Sequence, residues 1–201
     1  ASPSNPTGTS IARDELERIA RFVRARGGIT LIDEIYLGLS YDDAYGHSAL
    51  GLPDGLGDQV ISINSFSKYF NMTGWRLGWM VVPEALVPVV ERLAQNLFIC
   101  ASTIAQHAAL ACFEPESIAE YERRRAEFKA RRDYFIPELN RLGLSVPVMP
   151  DGAFYAWADC SQVCSKLGIS GSWDFAFEVM RQAHVAITPG RDFGVDQTAS
   201  F

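Results

Sequence analysis

The spacing of apolar residues changes several times along the chain, and each change marks an element. Ile11, Leu16, Ile19, Ala20 and Val23 recur at helical spacing, which predicts an amphipathic helix from Ile11 to Arg26. Thr9 or Ser10 stands where a cap belongs, Asp14 and Glu15 suit the first turns, and Gly27-Gly28 stops the helix. Ile29 to Ile32 is a short β-branched run ending at Asp33, the pattern of a parallel strand buried on both faces. Val60 to Ile63 is a second such run, and a helix followed by two buried strands predicts an α/β layered domain. Between the strands, Leu37–Asp58 is a loop rich in glycine, aspartate and tyrosine, long enough to border a site.

Leu77 to Val82 predicts another strand, and Pro83 starts a helix through about Phe98. Ala101 to Phe113 reads as a further helix, apolar on most faces and therefore mostly buried. From Pro115 to Leu142 the helical period persists for many turns, with Pro137 as a bend or break. The charged stretch Glu122-Arg123-Arg124-Arg125-Ala126-Glu127 inside it is a solvated face with i,i+4 pairing. Beyond Gly143, Leu144–Val148 and Ala153–Ala158 alternate like short strands around Pro150-Asp151-Gly152. A helix from Trp173 to His184, a strand at Val185–Ile187 and the turn Thr188-Pro189-Gly190 complete a smaller α+β unit.

Composition narrows the function classes. The 201 residues are 48% hydrophobic and 21% charged, which suits a globular protein with a sizeable core. A net charge of -6 and a pI near 5.1 argue against a general nucleic-acid surface. No apolar run is long enough to span a bilayer, so no membrane partner is expected. Cys100, Cys112, Cys160 and Cys164 are too sparse and irregular for a disulfide scaffold or a zinc site, which fits a reducing, cytoplasmic setting. His47, His107 and His184 show no metal or triad spacing. The chain opens on Ala1-Ser2-Pro3-Ser4-Asn5 and closes on Thr198-Ala199-Ser200-Phe201, and both ends read as cuts through a longer protein.

The candidate chemistry gathers just past the second buried strand, in Ser65-Phe66-Ser67-Lys68 and Arg76. A lysine there can be held partly desolvated, which favours its neutral, nucleophilic amine. Ser65 and Ser67 offer hydroxyls beside it, and the planar guanidinium of Arg76 suits a phosphate. Asp33 and Tyr36 leave the end of the first strand, where open α/β sheets place ligands. Pro3-Ser4-Asn5-Pro6-Thr7-Gly8 is a turn-forming cluster upstream.

In order, Asn5-Pro6-Thr7-Gly8, Asp33 with Tyr36, Ser65-Phe66-Ser67-Lys68 and Gly74-Trp75-Arg76-Leu77-Gly78 resemble the fold-type I pyridoxal-phosphate enzymes. The match is to the class I/II aminotransferases related to aspartate aminotransferase. Asp151-Gly152-Ala153-Phe154-Tyr155 and Pro189-Gly190-x-x-Phe193-Gly194 extend it over essentially the whole chain. The resemblance implies that residues 1–120 are part of the large, mostly parallel-sheet, cofactor-binding domain. Residues 121–201 would then be a linking helix and part of the small C-terminal domain.

It implies pyridoxal 5'-phosphate as cofactor and Lys68 as the Schiff-base lysine that also shuttles a proton. By the same resemblance Asp33 pairs with the pyridine nitrogen, and Asn5 and Tyr36 hydrogen-bond the ring's phenolic oxygen. Ser65 and Arg76 would hold the phosphate, with Ser67 a further candidate, and Phe154 and Tyr155 would lie near the substrate side chain. Amino-acid and 2-oxo-acid substrates and a homodimer follow from the family. An arginine for the substrate carboxylate would come beyond Phe201, Arg191 being a poor substitute. A carbon–sulfur β-lyase and the sensor domain of a transcription regulator share the same cradle and stay open as alternatives.

Overall fold

The computed structural model describes residues 1–42, 45–194 and 201. Helix α1 (Arg13–Arg24) is followed by strands β1 (Thr30–Asp33), β2 (Val60–Ser65) and β3 (Gly78–Val81). Helices α2 (Val87–Leu97), α3 (Thr103–Leu110), α4 (Pro115–Arg141), α5 (Ser161–Leu167) and α6 (Ser172–Ala183) complete the order. The chain divides into two compact units. The first holds residues 1–5, 9–129 and 151–154; the second holds 6–8, 130–150 and 155–201. Helix α4 begins in the first and ends in the second.

In the first unit β1 and β2 are parallel, with Asp33 opposite Ile63, and β3 returns antiparallel to β2, with Gly78 opposite Ser65. This is the α/β layering that the two apolar runs predict. Leu16 and Ala20 of α1 pack with Ile32, Ala49, Leu52, Leu56 and Val60 into one core on the sheet. Burial of the leucine, isoleucine and valine side chains is worth roughly 1.5–3 kcal/mol each. A second cluster, Phe66, Met72, Leu77, Ala105, Ala109 and Cys112, lies beneath the loop that follows β2. In the second unit Cys160, Cys164 and Phe175 are buried, with Leu144, Val163, Ile169 and Val179 against them.

Several expectations change. Ser10 does not cap α1: its N–H and hydroxyl both donate to the Asp151 carboxylate, and Ala12 takes the cap position without a side-chain bond. Strand β1 is not buried on both faces, because Ile32 is covered while Leu31 is 63% exposed. Helix α3 buries only Ala105 and Ala109, leaving Ile104 and Leu110 exposed. The helix expected from Pro83 starts as a 3-10 turn at Glu84–Leu86 before becoming α2. Residues 144–148 and 153–158 form no strands among the described residues, and the isolated bridge there joins Ser145 to Asp159, one residue past the second range. Pro147 and Pro150 lack the N–H a ladder needs, and Ala153 adopts a positive φ of 57°. Val185–Ile187 forms no strand among the described residues. Helix α5 was not anticipated. Its start accepts support from Asp159, which takes the Ser161 N–H at 2.8 Å, and Gly168 ends it at φ 67°.

Candidate active site

The parallel strands β1 and β2 end side by side, and the predicted residues stand at that end. Asp33 closes β1; its carbonyl accepts the Ser2 N–H at 2.9 Å and its carboxylate accepts the Ile35 N–H at 3.1 Å. The first of these bonds brings the segment carrying Asn5 to the tip of β1, with Asn5 itself exposed in a turn. Tyr36 follows on the loop, 3% exposed, at the start of a 3-10 turn over Leu37–Leu39.

Ser65 closes β2, and its hydroxyl accepts the Ser67 N–H at 3.0 Å. The Ser67 carbonyl in turn takes the Thr73 hydroxyl at 2.8 Å. The loop between is anchored at Phe66, whose N–H reaches Leu77 at 3.1 Å and whose carbonyl takes the Met72 N–H at 2.9 Å. Phe66, Met72 and Leu77 are all in the buried cluster below, so the apolar residues of the motif hold the loop, while Ser65, Ser67 and Lys68 stay half-buried. Arg76 has left-handed backbone at φ 53°, is exposed, and donates to the Thr73 carbonyl at 2.9 Å. The register of Ser65 with Gly78 places Arg76 across from the Ser65–Ser67 turn. A Cβ at Gly78 would lie 2.7 Å from the Asn64 carbonyl, so the close strand approach there requires glycine.

Lys68 is half-buried. Its Nζ lies 5.4 Å from the centre of the Tyr36 ring and 5.8 Å from that of Phe154. Those two rings meet edge to face, 5.7 Å apart. Phe154 is delivered to this place by the Asp151–Ala153 segment. The Ala153 N–H bonds the Leu39 carbonyl at 3.1 Å, the Tyr41 hydroxyl donates to the Ala153 carbonyl, and Gly152 is so close to Pro3 that a Cβ would lie 2.6 Å from its ring. Phe128 of α4 packs on the other side of Phe154, at 5.6 Å. The structure therefore brings Asp33, Tyr36, Ser65, Ser67, Lys68 and Phe154 to one end of the strand pair. Tyr155 falls in the second unit, as does Arg191, whose guanidinium lies 3.3 Å over the Trp173 ring. The Pro189-Gly190-x-x-Phe193 motif forms a 3-10 turn over Gly190–Phe193.

Sequence reasoning missed Glu34. It is 3% exposed and accepts from the Ala49 N–H at 2.6 Å, the Ser62 hydroxyl at 2.6 Å and the Ser48 hydroxyl at 2.8 Å. Asn64 extends the network with a 2.8 Å bond to Ser62. The carboxylate beside Asp33 thus ties the end of β1 and the middle of β2 to the loop at Ser48–Ala49, and only the charge next to an apolar run hinted at it. Tyr69 was likewise passed over, and Glu122 and Arg125, read as part of a solvated face, instead bond each other at i,i+3 and reach Tyr69 and the Ser40 carbonyl. The cysteines do not add a site: none of the four forms a disulfide, and Cys160 and Cys164 sit with their sulfurs 3.6 Å apart. Burial, then the neighbouring thiol, pushes Cys160 up to about 12, so it is a poor nucleophile. Among the described residues no cluster of His, Cys, Asp and Glu is arranged to hold a metal ion.

The donor set fits pyridoxal 5'-phosphate. An amine for the aldehyde, a carboxylate for the ring nitrogen, a phenol for the ring oxygen, and hydroxyls with a guanidinium for the phosphate share one strand end.

Comparison with known proteins agrees. The pattern of the family described as "Aminotransferase class I and II" matches residues 1–201. Valine–pyruvate aminotransferase of Mycobacterium tuberculosis is 38% identical over 201 residues, covering 100% of this chain and 50% of that protein. Aspartate aminotransferase of Bacillus sp. (strain YM-2) is 34% identical over 197 residues, covering 98% and 50%. A crystal structure of an aminotransferase from Mycobacterium tuberculosis superposes with a TM-score of 0.90 at 38% identity, covering 100% of this chain and 50% of that one. The aromatic aminotransferase from Pyrococcus horikoshii OT3 gives 0.86 at 36% identity, covering 96% and 50%. The chain thus spans about half the length of the relatives it matches. These neighbours carry the fold-type I architecture, and over its whole described length the chain belongs to the class I and II aminotransferase family, whose cofactor is pyridoxal 5'-phosphate.

Proposed function

We propose that the intact protein is an aminotransferase that moves an amino group from an amino acid to a 2-oxo acid, with Lys68 as its covalent lysine. The observation that carries this reading is the Lys68 amine at the end of the β1–β2 pair, 5.4 Å from the Tyr36 ring, with Asp33 closing the neighbouring strand. When bound, pyridoxal 5'-phosphate supplies the aldehyde that takes up the amino group and the ring that absorbs the electron pair left at Cα.

The chain's own residues supply the rest. Lys68 would hold the aldehyde carbon, and its amine would move a proton at the substrate's Cα. Asp33 holds the ring nitrogen protonated, which keeps the ring a good electron acceptor. Tyr36, with Asn5, donates to the ring oxygen. Ser65, Ser67 and Arg76 hold the phosphate through charge-assisted bonds. Phe154, packed between Tyr36 and Phe128, walls the substrate side.

Residues 1–120 serve in this reading as part of the large domain, and 121–201 as the linking helix with part of the small one. The division of contacts within α4 supports that assignment. The reading includes a homodimer, to be checked by sedimentation, and a cytoplasmic setting, which four cysteines without a disulfide support. No helix among the described residues is long and apolar enough to cross a membrane. The lyase and regulator alternatives find no support in relatives named as aminotransferases along the whole chain.

Borohydride reduction of the intact, cofactor-loaded protein, followed by peptide mapping, is expected to place the pyridoxyl label on Lys68. Amino-acid donors tested singly should convert the cofactor's absorbance to that of its aminated form, and 2-oxoglutarate or pyruvate should restore it. A label on another lysine, or release of ammonia in place of the aminated form, overturns the reading.

A further inference from the structure

The loop bearing Lys68 is closed into a circuit by side chains outside the set just described. Tyr69, the next residue, lays its ring on Gly38, where an added Cβ would lie 2.6 Å from the ring's Cγ. The Tyr69 hydroxyl donates to Glu122 of α4 at 2.5 Å. The second oxygen of Glu122 meets the Arg125 guanidinium at 2.5 Å, and Arg125 donates to the Ser40 carbonyl at 3.0 Å. Ser40 and Tyr36 flank the same 3-10 turn, Leu37–Leu39, in which Gly38 lies. The path therefore leaves Lys68 through Tyr69, crosses α4, and returns to the turn that begins at Tyr36.

Nothing in the path carries a proton to the site. Burial first, and the Glu122 bond next, push the Tyr69 phenol above its ordinary range, so it stays a neutral donor. Arg125 neutralises Glu122 and spends its other donor on a backbone carbonyl. What the circuit does is geometric. It fixes the backbone at position 69 on two sides, by a ring packed on glycine and by a hydroxyl bonded to a helix. The side chain of Lys68 has four free rotors, so its amine is only as well placed as the backbone from which it springs.

We propose that the Tyr69–Glu122–Arg125 circuit is a positioning device for Lys68, with Glu122 the residue through which helix α4 holds the lysine against Tyr36. This deepens the aminotransferase reading and rests on it. A misplacement of the amine by about 1 Å costs on the order of a hundredfold in rate.

The test uses the intact protein with Tyr69→Phe, Glu122→Ala, Glu122→Gln and Gly38→Ala. In cofactor-free protein, trace acetylation with acetic anhydride and peptide mapping report the accessibility of each lysine. Tyr69→Phe and Glu122→Ala are expected to raise labelling of Lys68 about threefold or more, while Lys129 and Lys166 stay as in the parent; a general loosening would raise all three. In the loaded protein the amino-acid half-reaction should slow about tenfold or more, with the half-saturating donor concentration changed by less than about twofold.

Glu122→Gln keeps an acceptor for the Tyr69 hydroxyl and should recover most of the rate. The double variant Tyr69→Phe/Glu122→Ala should be no slower than the worse single one. Gly38→Ala leaves every donor and acceptor in place and should reproduce the labelling change by pushing on the Tyr69 ring alone. Parent-like Lys68 labelling in Tyr69→Phe and Gly38→Ala, or multiplicative effects in the double variant, overturns the proposal. Failure of the aminotransferase reading shows separately, as a borohydride label away from Lys68 in the unsubstituted protein.

Discussion

Around the strand ends of the first unit, hydrogen-bond partners come from distant parts of the chain. Ser10 and Asp151 are 141 positions apart, Tyr41 and Ala153 are 112, Arg125 and Ser40 are 85, and Tyr69 and Glu122 are 53. Among the described residues of the second unit, side-chain pairs within a helical turn recur: Glu138 with Arg141, Glu178 with Arg181, Ser170 with Asp174. The difference is physical as well as statistical. A pair one turn apart can form in any transient helix, so it contributes little to the gap between folded and unfolded states. A pair a hundred residues apart exists only once the tertiary structure does. Bringing an amine, a carboxylate and a guanidinium together from separate segments demands contacts of the second kind, and they are found around the candidate site.

The strongest way to break that contrast is Glu34→Ala. Three donors, the Ala49 N–H and the Ser48 and Ser62 hydroxyls, would lose a charged acceptor in a buried place. Bonds to charged groups are worth about 1.5–3 kcal/mol each and are not additive, so a loss of roughly 3–5 kcal/mol is expected in urea denaturation. A loss below about 1 kcal/mol would mean that the long-range network carries no more than the local pairs do.

Much of the layout was legible in the pattern of residues, for reasons particular to each element. The apolar stripe Leu16, Ala20 fixed which face of α1 meets the sheet, and the Val60–Ile63 run, apolar but for Ser62, marked the central strand. The candidate site residues could be brought together because motif order stands in for geometry: Asp33 and Ser65 close neighbouring strands, and Lys68 follows three residues after Ser65. Glu34 and Glu122 could not be read. Their partners are set by which loops the fold folds back, and a charged residue beside an apolar run, or within a charged helix, looks the same whether or not a distant donor meets it. Leu31 failed for a related reason, since an apolar run announces what could be covered and not what covers it. The 144–158 stretch misled through alternation, which Pro147 and Pro150 prevent from becoming a ladder.

A smaller effect, in the other region, sharpens the same contrast. Phe175→Ala opens a cavity in the second unit, where Phe175 packs with Cys160 and Cys164. Buried phenylalanine to alanine costs about 3 kcal/mol or somewhat more. Lower urea resistance is expected with the borohydride label still on Lys68, because no bond in the strand-end network involves this cluster. Redistribution of the label to another lysine would show that the packing of the second unit governs the site as much as the network does.

The smallest effect is the most discriminating, because it compares two pairs of identical spacing. Glu178 meets Arg181 at 2.9 Å and Glu122 meets Arg125 at 2.5 Å, both three positions apart on helices. Nothing in the spacing separates them. Arg181 keeps 70% of its side chain in solvent and bonds within its own turn, whereas Arg125 reaches the Ser40 carbonyl and Glu122 holds the Tyr69 hydroxyl. Glu178→Gln should therefore change stability by less than about 0.5 kcal/mol, and by less again in 1 M salt, where exposed charges are screened. It should leave Lys68 labelling as in the parent, while Glu122→Ala alters it. If both substitutions disturb Lys68 alike, or neither does, the distinction between local and long-range pairs does no explanatory service here, because it is the third partner, not the ion pair itself, that is held to link a helix to the lysine.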